Sequence, residues 1–347
     1  MRYREAGVDV DRSDAVKEAI GRAVRATWGP AVRPIPGGFA GVMAWPGTGD
    51  ATASADVPLL AATVDGVGTK LHLAIEAGRV PDAAADLVYH CANDLLAHGA
   101  RPLAFLDYAA QSRLDADLIL GIIKGLCRAC KEVGAVLLGG ETAEMPDTYV
   151  PGVVDVAGCM LGCVPPRKLL DGSAVRPGDV LLGLGSTGLH TNGYSLARRV
   201  LASSRHTLRD QLPGGGGETL GEALLQPHRW YGPALLPRLG EQRVHALAHI
   251  TGGGIAGNLV RVLPEGCRAR IRGDAWPRPA LFRWMLEVGS VPEEDARQAF
   301  NLGIGMIVVC APTDQTSLAA DLERAGERVF FLGEIWPGAR GVEWAEG

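Results

Sequence analysis

The fold class is decided by residues 59–70, which read LLAATVDGVGTK. The apolar run 59–64 predicts a strand, and the acid, glycines, hydroxyl and lysine after it predict a site for phosphate and a metal ion. The acid can hold Mg²⁺, the glycines let backbone N–H groups approach an anion, and Lys70 adds a positive charge. A Walker A loop would need glycine at position 63 and lysine directly after Gly68, where the chain has Thr63 and Thr69. Any nucleotide site must therefore use a different scaffold.

Composition limits the class of protein. A length of 347 residues predicts about two domains, each long enough to bury a core. A net charge of −5 argues against nucleic acid as a partner, because a nucleic-acid-binding domain normally presents a basic face. The N-terminus lacks the apolar core of a signal peptide, and no apolar run is long enough to span a membrane. Seven cysteines, an odd number mostly in apolar runs, predict reduced thiols and a cytoplasmic location.

Helical and strand patterns alternate in two blocks, separated by a polar, proline-containing stretch that begins at Pro165-Pro166. We therefore predict an N-terminal domain over 1–166 and a C-terminal domain over 167–347, both of mixed α/β (α+β) class, with the sheet order open. The first block predicts helices at 11–26, 70–77, 82–98 and 115–133 and strands at 59–64, 103–109, 135–138 and 153–164. The second predicts strands at 180–184, 244–249, 305–311 and 329–332 and helices at 194–202, 255–262, 279–288 and 315–324.

Four acids of the first block are candidate Mg²⁺ ligands. Asp65, Asp107 and Glu141 follow predicted strands, where α/β folds usually place their sites, and Asp94 lies within an apolar helix. Several carboxylates meeting in one cleft would bind Mg²⁺ together with substrate phosphates. Each acid taken singly could instead be a capping or solvated residue. Asp94 fits that alternative least, because a buried carboxylate without a metal ion or a partner is costly.

A transition-metal site on the same helix is a tempting interpretation. His90, Asp94 and His98 recur at every fourth position and share a face. Eight residues of helix span roughly 12 Å, so the two histidines cannot bind the same ion. We therefore predict no zinc or iron site on this trio.

Two glycine-containing loops of the second block carry candidate substrate ligands. The run 183–188 matches G-x-G-x-x-G, but its last glycine does not open a helix, so NAD binding is rejected. Polar residues concentrate just after it, including His190, Thr191 and Asn192. The run 249–254, HITGGG, leads from a strand into a helix, and such glycines form a nest of N–H groups suited to phosphate or an oxyanion. A flexible turn is the alternative for either loop.

Together these segments resemble the AIR synthetase (phosphoribosylformylglycinamidine cyclo-ligase) family. The match extends in order over almost the whole chain. Its motifs are Tyr3–Asp11, Gly37-Gly38-Phe39, Asp65–Lys70, Asn93-Asp94-Leu95 with Gly99–Pro102, Phe105–Tyr108, Gly139–Pro146, His190–Leu196, His249–Gly254 with Asn258 and Arg261, and Phe300–Met306.

The resemblance implies a two-domain PurM-like architecture whose N-terminal sheets pair across a homodimer. It implies ATP and Mg²⁺ as cofactors, with ATP near the dimer interface. The implied reaction closes formylglycinamidine ribonucleotide (FGAM) into 5-aminoimidazole ribonucleotide (AIR) and releases ADP and phosphate. ATP would phosphorylate the formyl oxygen, and a substrate nitrogen would then displace phosphate from the activated carbon.

The resemblance also implies roles for individual residues. Catalysis would fall to His190, Lys70 and Asp94, and the Mg²⁺ ligands would be Asp65, Asp94, Asp107 and Glu141. ATP would contact Asp65, Gly66, Gly68, Thr69, Lys70, Asp107, Gly139, Gly140, Glu141 and Thr142. The substrate would contact His190, Thr191, Asn192, Thr251, Gly252, Gly253 and Gly254.

Three departures and several alternatives accompany this interpretation. The family's Gly-Gly-Phe-Gly-Gly loop has Ala40 as its fourth residue, Leu189 stands where proline is frequent, and lysines are scarce before the loop.

Related ATP-dependent enzymes, such as a small-molecule kinase or a selenophosphate synthetase, share the acidic ATP site. The second needs a cysteine in the glycine-rich loop, and residues 36–41 contain none. A non-catalytic nucleotide-binding regulator would be expected to have lost some of these acids.

Overall fold

The computed structural model describes residues 2, 20–45 and 57–345. Residues 20–25 form helix α1, so the described part of the predicted helix 11–26 is helical, and its remainder, like the Tyr3–Asp11 motif, lies outside the described residues. The first half contains strands β1 Val32–Arg33, β2 Gly41–Met43, β3 Leu59–Gly66, β4 Arg101–Gln111, β5 Val136–Glu144 and β6 Val154–Val164. Its other helices are α2 Lys70–Glu76, α3 Val80–Ala97 and α4 Ala116–Val133.

The strands of the first half form one sheet in the order β1-β2-β3-β6-β4-β5. Neighbouring described strands are antiparallel except β4 and β5, which run parallel because helix α4 connects them. Burial along β6 alternates strictly, so one face of this sheet packs on the core and the other does not. Edge strand β5 is mostly exposed.

Helix α3 is the centre of the molecule. It is buried over almost its whole length, and it contacts β3, β4 and β6 of the first sheet, helix α4, and strand β8 of the second half. Helix α4 buries one stripe against it, including Ile122, Leu126 and Ala129, at the spacing of a helical face. Gly125 is needed there, since a Cβ at that position would collide with the backbone of Pro81. A helix buried all round joins the two halves into a continuous core.

The second half contains strands β7 Val180–Gly185, β8 Ala246–His249, β9 Cys267–Arg272, β10 Ile304–Cys310, β11 Val329–Pro337 and β12 Gly341–Ala345, in the sheet order β12-β9-β11-β7-β10-β8. Its helices are α5 Tyr194–Ser203, α6 Leu220–Leu224, α7 Gly232–Leu235, α8 Gly254–Leu259, α9 Ala280–Gly289, α10 Glu293–Ala299 and α11 Gln315–Arg324, with 3₁₀ turns at Pro166–Lys168, Leu236–Arg238 and Val260–Val262. Central strands β7 and β10 are buried at every position, which is why they read as continuous apolar runs.

The mixed α+β class with two sheets is confirmed, but several strand ends were predicted wrongly, among them that of β11, which runs on to Pro337 instead of ending at 332. Strand β5 runs on to Glu144 instead of ending at 138, and β3 extends to Gly66. Asp65, Asp107 and Glu141 therefore lie inside strands and not in loops after them. Glycines and acids disfavour strands in isolation, and pairing with neighbouring strands overrides that preference here. Strands β9 and β12 and helices α6, α7 and α10 were not predicted.

Candidate active site

Strand register places the first two predicted acids in one row. Asp65 of β3 and Asp107 of β4 both pair with Gly158 of the intervening strand β6, so their side chains share a face. Their backbones are two strands apart, or about 10 Å. The ring of Phe105 covers Gly158, where any Cβ would collide with it. Asp65 and Asp107 therefore flank an aromatic ring on the side of the sheet that faces α3.

Glu141 lies on the opposite face of the sheet. Asp107 pairs with Gly140 on β5, and a Cβ at Gly140 would collide with the Asp107 carboxylate. Because side chains alternate along a strand, Glu141 must point the other way, beside its partner Tyr108 on the exposed face. Within one chain the four predicted acids thus do not surround one ion.

Asp94 is held by histidines from both halves of the chain. Its Oδ1 is 2.9 Å from Nδ1 of His249 on β8, and its Oδ2 is 3.9 Å from Nε2 of His90. The same His90 nitrogen is 2.9 Å from Oδ2 of Asp65. The prediction that buried Asp94 requires a partner is confirmed, and the partner is an imidazole contributed by the second sheet.

Two more histidines extend this group into a buried cluster. Nε2 of His228 is 3.1 Å from Nε2 of His249, and Nδ1 of His228 is 2.9 Å from Oγ1 of Thr191. The ring of His190 stacks on His228 with centroids 4.0 Å apart. All four rings are almost completely buried. We call His90, His190, His228 and His249 the histidine cluster.

Burial and mutual repulsion set the charge of the cluster. Burial, together with the charges of His249 and Lys70, holds the pKa of His190 well below its ordinary value, and the pKa of His228 is lowered in the same way. Burial would also lower the pKa of His90, but its hydrogen bond to Asp65 and the charge of Asp94 outweigh burial and raise it. His190 is therefore a neutral imidazole at neutral pH, able to accept a proton.

The backbone of His190 is strained and its ring is only partly bonded. Its φ of +61° lies in the left-handed region, which is uncommon for a residue other than glycine. Nε2 accepts a hydrogen bond from the Thr187 amide at 3.3 Å, whereas Nδ1 is buried without a partner among the described residues. Strain together with an unpaired polar atom is a frequent property of functional residues.

Lys70 is not placed to contact a nucleotide. Its side chain is wholly buried, and its ammonium pairs with Asp86 of α3 and donates to the carbonyls of His190 and Gln226, each at 3.0 Å. Burial disfavours the ammonium, but the Asp86 carboxylate outweighs it and raises the pKa of Lys70. Asp86 also accepts from the His228 amide at 2.8 Å. In this arrangement Lys70 joins the two halves and has no surface left for ATP.

The two glycine-containing loops of the second half lie side by side. A Cβ on Gly252 would be 3.2 Å from Oδ1 of Asn192, so residues 190–192 and 251–254 form one wall. Asn258 fixes the 251–254 turn by donating to three of its carbonyls, including that of Gly254 at 2.8 Å. Nδ2 of Asn192 is buried without a partner among the described residues. This wall therefore offers an amide donor next to the His190 ring.

A cavity of about 610 Å³ lies beside Thr63, a neighbour of Asp94. Its lining includes Trp28, Phe39, Thr63 and Val64, and the Thr63 hydroxyl donates to Oδ2 of Asp94 at 3.4 Å. Arg261 of the second half holds the loop at its rim by donating to the Gly37 and Gly38 carbonyls at 2.6 and 2.9 Å. The volume is that of a small-molecule site.

The remaining predicted residues divide between the segment that joins β3 to α2 and the edge strand β5. The Gly66 amide donates to Oδ1 of Asp65 at 2.7 Å, Gly68 is exposed, and the Thr69 hydroxyl lies 3.4 Å from that of Ser195 on α5. Gly139 and Thr142, like Glu141, are exposed on β5.

Sequence reasoning missed Asp86 and His228. Asp86 interrupts an apolar helix just as Asp94 does, so that signal was present, whereas nothing in the sequence marks His228.

Similar proteins cover the whole chain. Residues 49–164 match the AIR synthase related protein, N-terminal domain family, and residues 176–345 match the AIR synthase related protein, C-terminal domain family. A phosphoribosylformylglycinamidine cyclo-ligase of Anaeromyxobacter sp. (strain Fw109-5) is 44% identical over 96% of both chains. The thiamine-monophosphate kinase of Stenotrophomonas maltophilia K279a superimposes with a TM-score of 0.64 at 19% identity over 93% of both chains. T. maritima PurL complexed with AMPPCP superimposes with a TM-score of 0.53 at 20% identity, covering 81% of this chain and 40% of that one. At such identities the two structures show the fold alone.

Proposed function

The chain belongs to the phosphoribosylformylglycinamidine cyclo-ligase family, and on this premise we propose that it converts FGAM into AIR at the expense of ATP. The observation that carries the proposal is the identity of 44% over 96% of both chains. The buried unpaired atoms of His190 and Asn192 at the junction of the two halves support it, since a substrate could satisfy them.

The proposed reaction has two steps. In the first, the formyl oxygen of FGAM attacks the γ-phosphorus of ATP, so that an O–P bond forms and the bond to ADP breaks. In the second, an amidine nitrogen of the same molecule attacks the activated carbon. A C–N bond closes the ring, the C–O bond breaks, phosphate leaves, and the nitrogen gives up a proton.

We assign the proton acceptor to His190. Burial and neighbouring positive charge lower its pKa and keep the imidazole neutral, so its Nε2, which accepts only a 3.3 Å hydrogen bond from the Thr187 amide, can take the proton. Its Nδ1–H, buried without a partner among the described residues, is left to donate to the substrate. The adjacent amide of Asn192 would donate to the oxygen that receives the phosphoryl group. Thr191 and the 251–254 turn would hold the substrate's ribose phosphate through hydroxyl and backbone N–H groups.

ATP and Mg²⁺ are assigned to the face of the first sheet that carries Asp65 and Asp107. These carboxylates face the same way, and the hydrogen bond from His90, outweighing the effect of burial, holds the pKa of Asp65 below its ordinary value. Burial raises the pKa of Asp107, so its ionised form would depend on the charge of the bound ion. Carboxylate oxygens are the ligands that Mg²⁺ binds, and the ion would neutralise charge on the phosphates. Gly66, Gly68, Thr69, Gly139 and Gly140 would approach the nucleotide by their backbones. Lys70 we assign to stability and not to catalysis.

A homodimer is proposed through the outer face of the first sheet. Val64 of β3 is 70% exposed there, and Leu138 of β5, on the same strand as Glu141, is 64% exposed. A sheet face that exposes large apolar side chains to solvent is typical of a subunit interface. Glu141 would then belong to that interface and would contact ATP only in the assembled dimer, whereas Thr142, which pairs with Ala109, lies on the same face as Asp107.

Two further assignments complete the proposal. A cytoplasmic location is supported by seven cysteines without a disulfide among the described residues. No helix within 20–45 or 57–345 has the length and apolar character to cross a membrane. A domain boundary near 166/167 is supported by the two separate sheets, whose strands end at Val164 and resume at Val180.

The function is tested by ADP release with and without FGAM, together with detection of AIR by mass spectrometry. We expect FGAM to stimulate ADP release and one AIR to form per ADP. Thiamine monophosphate serves as the matched control substrate, because the fold is shared with its kinase. ATP binding without FGAM-stimulated ADP release, or phosphorylation of thiamine monophosphate, would contradict the proposal.

A further inference from the structure

Three side chains from different parts of the chain meet where the two halves touch. His90 and Asp94 come from α3 of the first half, and His249 comes from the end of β8 in the second. One nitrogen or oxygen atom from each lies within 4.8 Å of the other two, and all three residues are buried. The trio suggested by helical spacing alone, with His98 as its third member, does not form. Both ring nitrogens of His98 are occupied, by the Phe39 amide at 2.7 Å and the Leu170 carbonyl at 2.9 Å.

We propose that His90, Asp94 and His249 bind a divalent transition-metal ion of the zinc class. Two imidazoles and a carboxylate suit Zn²⁺, Fe²⁺ or Ni²⁺, whereas Mg²⁺ takes oxygen ligands. The site is distinct from the Mg²⁺ site on Asp65 and Asp107. It does not depend on the proposed cyclo-ligase activity.

The spacing of the ligand atoms is within reach of such an ion. Metal–ligand distances near 2.1 Å in a tetrahedral site put ligand atoms about 3.4 Å apart. Here Asp94 Oδ1 is 2.9 Å from His249 Nδ1, and Asp94 Oδ2 is 3.9 Å from His90 Nε2. These distances involve the two different oxygens of the carboxylate, and one ligand atom from each residue lies within 4.8 Å of the other two. Side-chain shifts of roughly 1–2 Å would draw the three atoms onto one ion. Water would complete the fourth position, and Asp65, 2.9 Å from the same His90 nitrogen and partly exposed, would give up that contact when His90 binds the ion.

A second layer of hydrogen bonds is already in place. With Nδ1 of His249 on the metal ion, its Nε2–H would donate to His228 Nε2, 3.1 Å away. His228 Nδ1–H would in turn donate to the Thr191 hydroxyl at 2.9 Å. Histidine ligands normally donate their second ring N–H to such a partner, which fixes tautomer and orientation. His90 Nδ1, buried without a described partner, can carry the proton that its Nε2 gives up.

The ion would fasten the two halves of the chain together. Ligands from α3 and β8 can bind one ion only when the halves are docked, so binding stabilises the docked state by mass action. At a metal concentration 100 times the dissociation constant this amounts to a 100-fold shift toward the folded form.

The test uses the full chain stripped with a chelator and then titrated with Zn²⁺ or Co²⁺. We expect one ion per chain by elemental analysis, the visible absorption of four- or five-coordinate Co²⁺, and a raised melting temperature, all retained in excess Mg²⁺. His90→Gln should weaken binding by more than 100-fold, and His228→Gln, which removes only an outer partner, by about 10- to 100-fold. His72→Gln on α2 is the matched control and should bind normally.

X-ray absorption at the zinc edge of the unmodified protein covers the case in which His90→Gln fails to fold. Two imidazole ligands are expected. A stripped protein that takes up no ion, a zinc spectrum without imidazole, or a His90→Gln protein that binds like His72→Gln would each overturn the proposal.

Discussion

Asp86 and Asp94 lie eight residues apart on helix α3, and both are buried, yet they have opposite kinds of partner. Asp86 pairs with Lys70, whose charge is permanent at ordinary pH, and with the His228 amide. Asp94 pairs with the imidazole of His249 and lies beside His90, groups that can exchange protons or bind metal ions. One helix thus carries a structural ion pair at one point and a reactive site two turns further on. The partner residue determines whether each buried carboxylate is structural or reactive.

His190 connects the two points, and altering it should give the largest effect. Its carbonyl accepts from Lys70, while its ring stacks on His228. His190→Asn removes the imidazole but tolerates the left-handed backbone. We expect kcat to fall by about 10²- to 10⁴-fold, the usual contribution of a general base, with the melting temperature nearly unchanged. Steady-state kinetics with FGAM measure this, and near-normal turnover would refute the role.

Lys70→Met tests the structural ion pair between Lys70 and Asp86. Removing one partner of a buried ion pair leaves an uncompensated charge and should cost about 3–5 kcal/mol of unfolding free energy. Urea denaturation measures it. The matched control is the double variant Lys70→Met/Asp86→Leu, which removes both charges and should recover most of the loss. A double variant as unstable as the single one would show that the pair is not what stabilises this point.

Asp94→Asn tests the reactive site, in which Asp94 pairs with His249. It keeps the shape but replaces a charged acceptor, and a hydrogen bond to a charged group contributes about 1.5–3 kcal/mol. We expect kcat/KM to fall by roughly 10- to 150-fold because His249 loses the group that orients it, at a smaller cost in stability than Lys70→Met. The comparison would fail if Asp94→Asn destabilised the protein as much as Lys70→Met and left kcat/KM intact.

Replacing Asp82, at the start of the same helix, should have the smallest effect on stability of these changes. Burial raises its pKa, but bonds from Arg128 and Arg79 outweigh burial, so the pKa is lowered. The stabilisation it gives is present at neutral pH and is lost as the pH falls through the lowered folded-state pKa. Asp82→Asn should cost at most about 1 kcal/mol, since the pair is partly exposed. The cost should disappear in denaturation measured at acidic pH, and a cost that persists there would point to packing instead of charge.

The sequence predicted more of the fold than of the site's geometry. Apolar periodicity located α3, α4 and α11 because their buried faces are set locally. It ended β5 too early, because the glycines of 139–140 are kept in the strand only by pairing with β4. Because side chains alternate along a paired strand, Glu141 also points away from Asp107.

The histidine cluster shows why the site could not be predicted in full. Its members come from α3, a loop after β7, a segment before α7 and the end of β8, and only the docking of the two sheets brings them together. Local spacing pointed to His98 as the companion of His90 and Asp94, and tertiary contact supplied His249 instead. Asp94 itself was identifiable, because a charge in an apolar helix requires a partner wherever that partner lies in the sequence.

The burial of α3 has a consequence for how the chain is made. Asp94 leaves the ribosome 155 residues before His249, its partner in the finished fold. At about 5–20 residues per second, that helix waits roughly 8–30 seconds with an unpaired carboxylate and an apolar surface open to solvent. A ribosome that stalls before β8 therefore releases a fragment in which α3 is covered by the first sheet and α4 but lacks the cover of the second half.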